Sequence, residues 1–126
     1  MRRRIGWLLG AAAAVGLARA ISRLDAVRVD GESMAPTLRP GELLAVGPVR
    51  AGEPHEGQIV VARAGAREVV KRVVPPRHPI DPGMVWLEGD NPDRSTDSRT
   101  TGPVSRDAVV GIVRARYWPP RRARLF

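Results

Sequence analysis

The sequence predicts a mainly β domain that follows a single apolar helix at the amino terminus. Beyond residue 24, short segments rich in valine alternate with turn signals, and no stretch keeps a helical hydrophobic period for long. Twelve prolines and 13 glycines punctuate the 126 residues, and they cluster in stretches such as Gly52–Gly57 and Pro75–Gly83. This pattern is typical of short strands joined by turns.

The first 24 residues are predicted to form a membrane anchor. The segment Ile5–Ile21 is apolar apart from Arg19, and three arginines at positions 2–4 precede it. As a helix the segment would extend roughly 25 Å, near the lower limit for crossing a bilayer. The arginine cluster favours a cytoplasmic amino terminus. We therefore expect a single-pass protein of the cell membrane whose remaining residues lie on the extracytoplasmic side.

Two other interpretations of this segment stay open. Ala18-Arg19-Ala20 has the small-x-small pattern of a cleavage site, which is typical of a signal peptide that is removed. The segment is also short enough to be a helix that lies on the membrane surface. We favour the uncleaved anchor because it would hold the domain next to membrane-bound substrates.

Residues 25–126 are predicted to form one small domain with six strands. The predicted strands are Ala26–Val29, Glu42–Val46, Gln58–Ala62, Glu68–Val74, Met84–Glu88 and Val109–Arg116. Residues Ser105–Ala108 are predicted to form one short helical turn, and no internal repeat is present.

Composition and charge exclude several classes of protein. The chain has no cysteine, which removes disulfides, thiolate metal sites and cysteine nucleophiles. His55 and His78 both lie in loops rich in proline and glycine, which disfavours a Ser-His-Asp triad. The net charge is +8 and is concentrated at the two ends, without the aromatic and basic stripe of a nucleic-acid-binding protein. Anionic membrane lipid is the favoured partner for the basic ends, and nucleic acid is not.

Lysine occurs once, at position 71, among 21 basic residues. Arginine does not lose its proton in a protein, whereas a buried lysine can, so this position is a candidate for an amine that must become neutral. Strand alternation would place Lys71 on one face with Val69 and Val73, where desolvation would lower its pKa. A lysine on the solvated face of an edge strand is the alternative.

Ser33 is the candidate nucleophile. It lies in Gly31-Glu32-Ser33-Met34-Ala35-Pro36-Thr37-Leu38, directly after a predicted strand. Gly31 would permit close backbone approach, and Pro36 would fix the turn that follows. Such a turn can expose a serine hydroxyl beside amide hydrogens that hold an oxyanion, although many serines in turns only bond the backbone.

A third polar segment runs from Gly89 to Arg99, with the sequence GDNPDRSTDSR. Its acidic residues at positions 90, 93 and 97 are spaced loosely like a calcium loop, but the EF-hand pattern and its terminal glutamate are missing. We therefore predict no metal site.

Along the chain, the apolar anchor is followed by the Ser33 segment, the Lys71 segment and the segment from Gly89 to Arg99. In that order, the three segments resemble the conserved boxes of the signal peptidase I family. The resemblance spans about residues 24–118. It implies a small antiparallel, barrel-like β catalytic domain that uses a serine/lysine dyad without a metal or organic cofactor. The short link between Lys71 and Gly89 lacks the second β region that larger members insert there, so the chain is similar to compact members.

The resemblance also implies a role for each matching residue. Ser33 would be the nucleophile and Lys71 the general base, and the Ser33 amide would form part of the oxyanion hole. Gly31 stands where larger members can place a hydroxyl, which leaves a main-chain group as the alternative second donor. Ser95 would orient the lysine amine, and Asp97 and Arg99 would brace the site. The residues implied to line the pockets for small substrate side chains are Met34 and Leu38.

The implied function is a membrane-bound serine endopeptidase that removes signal peptides or amino-terminal presequences from exported proteins. A dedicated maturation protease for one precursor, such as that of nickel superoxide dismutase, is an alternative. A self-cleaving relative of the Ser-Lys repressor proteases is another, with Ala64-Gly65 as its most suitable bond. A non-catalytic, membrane-anchored β module is the third alternative.

Overall fold

The computed structural model describes residues 23–126, which are mostly β-structure. The membrane anchor predicted for the first 24 residues lies almost entirely outside the described residues. The anchor and the domain division at residue 24 both stay predictions. Within residues 23–126 no helix is both long and apolar enough to cross a bilayer.

Nine strands and four short helical turns make up the described chain. The strands are β1 (Asp25–Arg28), β2 (Leu43–Gly47), β3 (Ile59–Ala64), β4 (Arg67–Val73), β5 (Met84–Val85), β6 (Leu87–Glu88), β7 (Val104–Ser105), β8 (Val109–Trp118) and β9 (Arg124–Leu125). One α-helical turn, α1, covers Ser98–Thr101, and 3-10 turns cover Pro92–Arg94, Arg106–Ala108 and Pro120–Arg122.

The structure confirms the mainly β prediction and all six predicted strand regions, with one correction. The predicted strand Met84–Glu88 is two strands, because the chain changes partners at Trp86. Residues before Trp86 pair with β7 in a separate two-stranded ribbon, whereas residues after it pair with β4 in the main sheet. The strands β7 and β9 were not predicted because each contains only two residues.

The main sheet has the strand order β1-β2-β8-β3-β4-β6, and every pairing in it is antiparallel. The long strand β8 lies at its centre, where it pairs with β2 on one side and with β3 and β9 on the other. The end strands β1 and β6 do not pair with each other in the described chain. The sheet is therefore open, and hydrogen bonding does not close it into the barrel that the resemblance implied.

The first four residues of β3, at positions 59–62, are buried on both faces, which explains why they are all apolar. Ile59 and Val61 pack into one core cluster, which also contains Met34 and Leu38. The residues between them, Val60 and Ala62, pack into a second cluster on the opposite face. Both faces of the sheet are thus covered by apolar side chains.

Strand β4 alternates between these two clusters. Val70 packs against the first cluster, and Val69 and Val73 belong with the second. Lys71 shares the parity of Val69 and Val73 and is only 6% exposed. The alternation predicted from the sequence thus carries the single lysine into the interior.

Candidate active site

An open cleft of about 660 Å³ lies between two parts of the chain. One wall is β1 and the turn that follows it, which includes Ser33 and Met34. The other wall is β4, which contributes Lys71. The structure therefore brings the predicted nucleophile and the predicted base to the same cleft, although they are 38 positions apart in the sequence.

Lys71 is held by a hydrogen bond within its buried surroundings. Its Nζ donates to Ser95 Oγ at 2.9 Å. Burial is the largest influence on its pKa and lowers it from the usual value of 10.5. The charge of Asp97 opposes this shift and that of Arg99 reinforces it, and the pKa of Lys71 remains lowered. The amine is thereby closer to its neutral form than a surface lysine would be.

Ser95 connects this amine to a buried carboxylate. Its hydroxyl donates to Asp97 Oδ2 at 2.5 Å, so its oxygen is free to accept from Lys71. Arg99 donates to both oxygens of Asp97, and Gly89 N donates to Oδ2 at 2.8 Å. Burial alone raises the pKa of Asp97, but these hydrogen bonds outweigh burial and hold the pKa well below its usual value. Asp97 therefore stays ionised and keeps Ser95 oriented.

Asp97 also caps the helical turn α1 that follows it. Its Oδ1 accepts from Arg99 N at 3.1 Å, which is the usual role of an aspartate at a helix N-cap. A single carboxylate therefore fixes Ser95 on one side and begins the turn that presents Arg99 on the other. Ser95, Asp97 and Arg99, which the sequence predicted to act together, form one local hydrogen-bonded group with Asp97 at its centre.

The segment around Gly89 holds the turn that contains Ser33. Asn91 N donates to Ser33 O at 2.9 Å, and Asn91 Nδ2 donates to Glu32 O at 3.1 Å. A Cβ on Gly89 would collide with both Ser33 O and the Ser95 side chain. Gly89 is therefore the position where close approach demands glycine, and the turn that contains Ser33 meets the Ser95 loop there.

Gly31 has a different role from the predicted one. A Cβ there would meet no atom within 4 Å, so close approach is not the reason for this glycine. Its φ is +69°, in the left-handed region that side chains with a Cβ rarely adopt. Gly31 thus allows the chain to turn sharply from β1 toward Ser33.

Asp90 links strand β4 to the turn that contains Ser33. It accepts two hydrogen bonds from Arg72, the neighbour of Lys71, and one from Thr37 Oγ1 at 2.6 Å. Burial alone raises the pKa of Asp90, but these partners outweigh it and the pKa is lowered. From the sequence, neither Asp90 nor Asn91 is assigned a catalytic or supporting role, although both lie in the polar segment from Gly89 to Arg99.

Glu88 is a further buried acid near the site that sequence reasoning missed. Arg77 donates two hydrogen bonds to it, and Trp86 Nε1 donates a third at 2.8 Å. Its Oε1 lies 3.7 Å from Arg99 Nε. Glu88 therefore shares Arg99 with Asp97 and extends the polar chain from Lys71 toward the protein surface.

The two residues expected to line substrate pockets lie in different places. Met34 lines the cleft with part of a side chain that is otherwise buried. Leu38 is fully buried within the first core cluster and lies away from the cleft surface. Leu38 therefore packs beneath the turn that contains Ser33, where burial of its apolar side chain stabilises the fold.

Two unpaired strand edges face each other across the cleft. In β4, the backbone of Val73 bonds toward β3, so the backbone groups of Val70 and Glu68 point the other way. Strand β6 reaches only as far as Arg72, which leaves Val70 and Glu68 facing the cleft. In β1, Val29 bonds toward β2, so Arg28 and Asp30 on the opposite wall also point into the cleft.

The family model and the similar proteins described below are all proteases or protease subunits by name. Residues 14–113 match the Peptidase S24-like family. Mitochondrial inner membrane protease subunit 1 of Xenopus tropicalis is 34% identical over 116 residues, covering 75% of this chain and 70% of the relative. Subunit 2 of the mouse enzyme (Mus musculus) is 32% identical over 130 residues, covering 82% and 74%. Subunit 2 from Saccharomyces cerevisiae is 48% identical over 40 residues, covering 32% and 23%.

The open β-sheet, its polar cleft and these relatives together define a protease. The chain belongs to the Peptidase S24-like family, as a compact member similar to signal peptidase I.

Proposed function

We propose that this protein is a serine endopeptidase in which Ser33 is the nucleophile and Lys71 the general base. One observation carries the proposal: the only lysine of the chain is buried, has a lowered pKa and shares a cleft with Ser33. A buried amine that titrates below its normal range is a usable base, whereas the surrounding arginines are not.

The proposed reaction proceeds through an acyl-enzyme. Neutral Lys71 takes the proton from Ser33 Oγ, and the oxygen bonds to the carbonyl carbon of the substrate. The protonated amine then donates to the leaving nitrogen as the peptide C–N bond breaks. Water next gives a proton to Lys71 and attacks the ester, and Ser33 Oγ recovers its proton as it leaves. No metal or organic cofactor takes part.

The substrate is proposed to bind as an extended strand between β1 and β4. Both walls present outward backbone groups, at Arg28 and Asp30 on one side and at Glu68 and Val70 on the other. An added strand can hydrogen-bond to such edges along its length. Valine side chains also line the cleft, at positions 27, 29, 61, 69 and 70, and leave apolar walls suited to small residues such as alanine near the cut.

Signal peptides or amino-terminal presequences of exported proteins are the proposed substrates. The relatives act, by name, at the mitochondrial inner membrane, which favours a membrane-bound enzyme here. The apolar segment Ile5–Ile21 would hold the domain beside such substrates in a single-pass arrangement, with the catalytic domain on the extracytoplasmic side.

The test is to incubate the full chain, in detergent or vesicles, with a membrane preprotein and to determine the product masses. We expect the wild type to release a defined amino-terminal fragment and Ser33→Ala and Lys71→Ala to release none. Ser105→Ala is the matched control, because Ser105 is an exposed serine that does not line the cleft. Undiminished cleavage by Ser33→Ala would overturn Ser33 as the nucleophile, and absence of cleavage by the wild type would favour a non-catalytic β module.

A dedicated maturation protease is the alternative proposal. It has the same chemistry but acts on a single precursor instead of on many signal peptides. The set of proteins that stay unprocessed after deletion of the gene separates one dedicated precursor from general signal-peptide removal.

Self-cleavage at Ala64-Gly65 is disfavoured by the local structure. Ala64 pairs with Arg67, so this bond enters a tight turn between β3 and β4 rather than an extended segment. An intact mass that does not change on prolonged incubation is the result expected for a protease acting on other chains.

A further inference from the structure

A buried ionic cluster joins the carboxyl-terminal segment to the interior. Glu42 is 3% exposed and Arg116 is 6% exposed, yet both are charged side chains. Arg122 Nε donates to Glu42 Oε2 at 2.7 Å, and Arg116 Nη1 lies 3.4 Å from Oε1. Arg116 Nε also donates to Arg122 O at 2.6 Å. The carboxylate of Glu42 thus holds two arginines together.

Both arginines reach from this cluster to the turn that contains Ser33. Arg116 Nη1 donates to Thr37 O at 2.6 Å. Arg122 Nη2 lies 3.3 Å from Pro36 O and 3.4 Å from Thr37 O. Two consecutive carbonyls of the turn are therefore oriented by guanidinium groups that follow them in the chain by 79 to 86 residues.

Thr37 is a rigid link between this cluster and the cleft. Its hydroxyl donates to Asp90, which also binds Arg72 next to the catalytic lysine. Leu38 N donates to Met34 O at 2.9 Å and closes the turn. A displacement of the Thr37 carbonyl would therefore be transmitted to Met34 and to the adjacent nucleophile.

We propose that Arg116 and Arg122, gathered by Glu42, are positioning residues that set the Ser33 turn against the cleft. They touch no reacting atom and act only through the carbonyls of residues 36 and 37. This inference rests on the proposed role of Ser33. Buried ion clusters are often no more stabilising than apolar packing, so stability alone does not explain this cluster. Its hydrogen bonds to the carbonyls of Pro36 and Thr37 are explained by an orienting role.

The chain offers a matched control in Arg114, which lies on β8 with Arg116, whereas Arg122 lies in the 3-10 turn that follows β8. Arg114 donates to both oxygens of Glu53 and to the carbonyl of Pro48, just as Arg122 binds Glu42 and a proline carbonyl. The side chains of Arg114 and Arg122 are 22% and 26% exposed. The Arg114 group does not line the cleft and does not contact the nucleophile turn.

The experiment compares Arg122→Ala with Arg114→Ala in the full chain, using a fluorogenic peptide with alanine before the scissile bond. Both variants should lose similar thermal stability. Well below their unfolding midpoints, Arg122→Ala should lose about ten- to a hundredfold in kcat with KM changed less than twofold. Arg114→Ala should retain the wild-type kcat. Arg122→Lys, which keeps the ion pair with Glu42 but not the forked contacts, should have an intermediate kcat.

A second measurement does not depend on activity. The Asn91 amide bonds to Ser33 O, so its hydrogen exchange reports how firmly the turn is held. Exchange should accelerate in Arg122→Ala and not in Arg114→Ala. Equal kcat and equal exchange in the two variants would overturn the positioning role. Activity of Ser33→Ala would instead refute the nucleophile, and the exchange comparison would still decide whether Arg122 holds the turn.

Discussion

Lys71 Nζ lies 2.9 Å from Ser95 Oγ, and the same hydroxyl donates its proton to Asp97. Ser95 can therefore only accept from the amine, which fixes one N–H of Lys71. Lys71 and Ser33 line the same cleft, so the amine is held in place on the side of Ser95 while its residue faces the cleft that contains Ser33.

Replacement of Lys71 by arginine should abolish turnover even though it keeps the positive charge. The guanidinium does not release its proton, so the loss should be at least the 10²- to 10⁴-fold typical of a missing general base. The measurement is kcat/KM with the alanine-containing peptide. Arg63→Lys, on the exposed end of the neighbouring strand β3 and outside the cleft lining, is the control and should change kcat/KM less than twofold.

The Gly89→Ala substitution should inactivate the enzyme by displacing the nucleophile turn. The added methyl group would overlap Ser33 O and the Ser95 side chain, so one of these groups would have to move. We expect kcat to fall more than tenfold. Gly52→Ala is the control, because φ there is +81° but nothing lies within 4 Å. It should cost about 1–2 kcal/mol of stability and leave kcat unchanged.

Activity should rise with pH as Lys71 loses its proton, with an apparent pKa below the usual 10.5. The Arg99 charge lowers the pKa of Lys71 and the Asp97 charge raises it. Removing the arginine charge with Arg99→Gln should therefore move the acidic limb of the kcat/KM profile to higher pH. Arg63→Gln, on an exposed side chain away from Lys71, should leave the profile unchanged. A downward shift in Arg99→Gln would contradict this electrostatic account.

Acid should weaken the fold through Glu53. Hydrogen bonding from Arg114 is the largest cause that lowers its pKa, from 4.5 to about 2. A carboxyl whose pKa is lower in the folded state stabilises the fold above its unfolded pKa, and this contribution is lost as pH falls toward the folded value. The thermal unfolding midpoint should therefore decrease as the pH is lowered from 4.5 to about 2. The decrease should be less steep in Glu53→Gln than in the wild type.

The carboxyl-terminal surface should bind anionic lipid. Trp118 is 53% exposed and Leu125 is 82% exposed, and Arg121 and Arg124 are exposed beside them. Tryptophan and arginine together favour the interface of an anionic bilayer. Residues 23–126 carrying Trp118→Ser and Leu125→Ser should sediment less with phosphatidylserine vesicles than the unmodified domain. Binding unchanged by both substitutions would contradict this assignment.

The strands could be predicted because their signals are local. Valine-rich runs between glycine and proline turns located β1 to β4 and β8 within one or two residues. Alternation also placed Lys71 on the face shared with Val69 and Val73. The change of partner at Trp86 depends on which distant strand each side meets, so no local pattern indicates it.

Motifs predicted the candidate site and its neighbouring supports Ser95, Asp97 and Arg99, but they did not predict the supports that come from distant parts of the chain. Arg116 and Arg122 were grouped with the basic ends that favour lipid, yet they bind Glu42, 74 and 80 residues away. Charge along the sequence cannot separate these two arginines from the exposed Arg121 and Arg124. The need for glycine at position 89 similarly arises from a contact with residue 33, which only the folded chain creates.

The long sequence separation between the Ser33 turn and Arg122 also has a consequence for biosynthesis. The turn is translated early, whereas the groups that bind its carbonyls are translated some 80 residues later. The carbonyls of the Ser33 turn therefore lack these two partners in a growing chain until Arg116 and Arg122 have been synthesised and have folded back onto the turn.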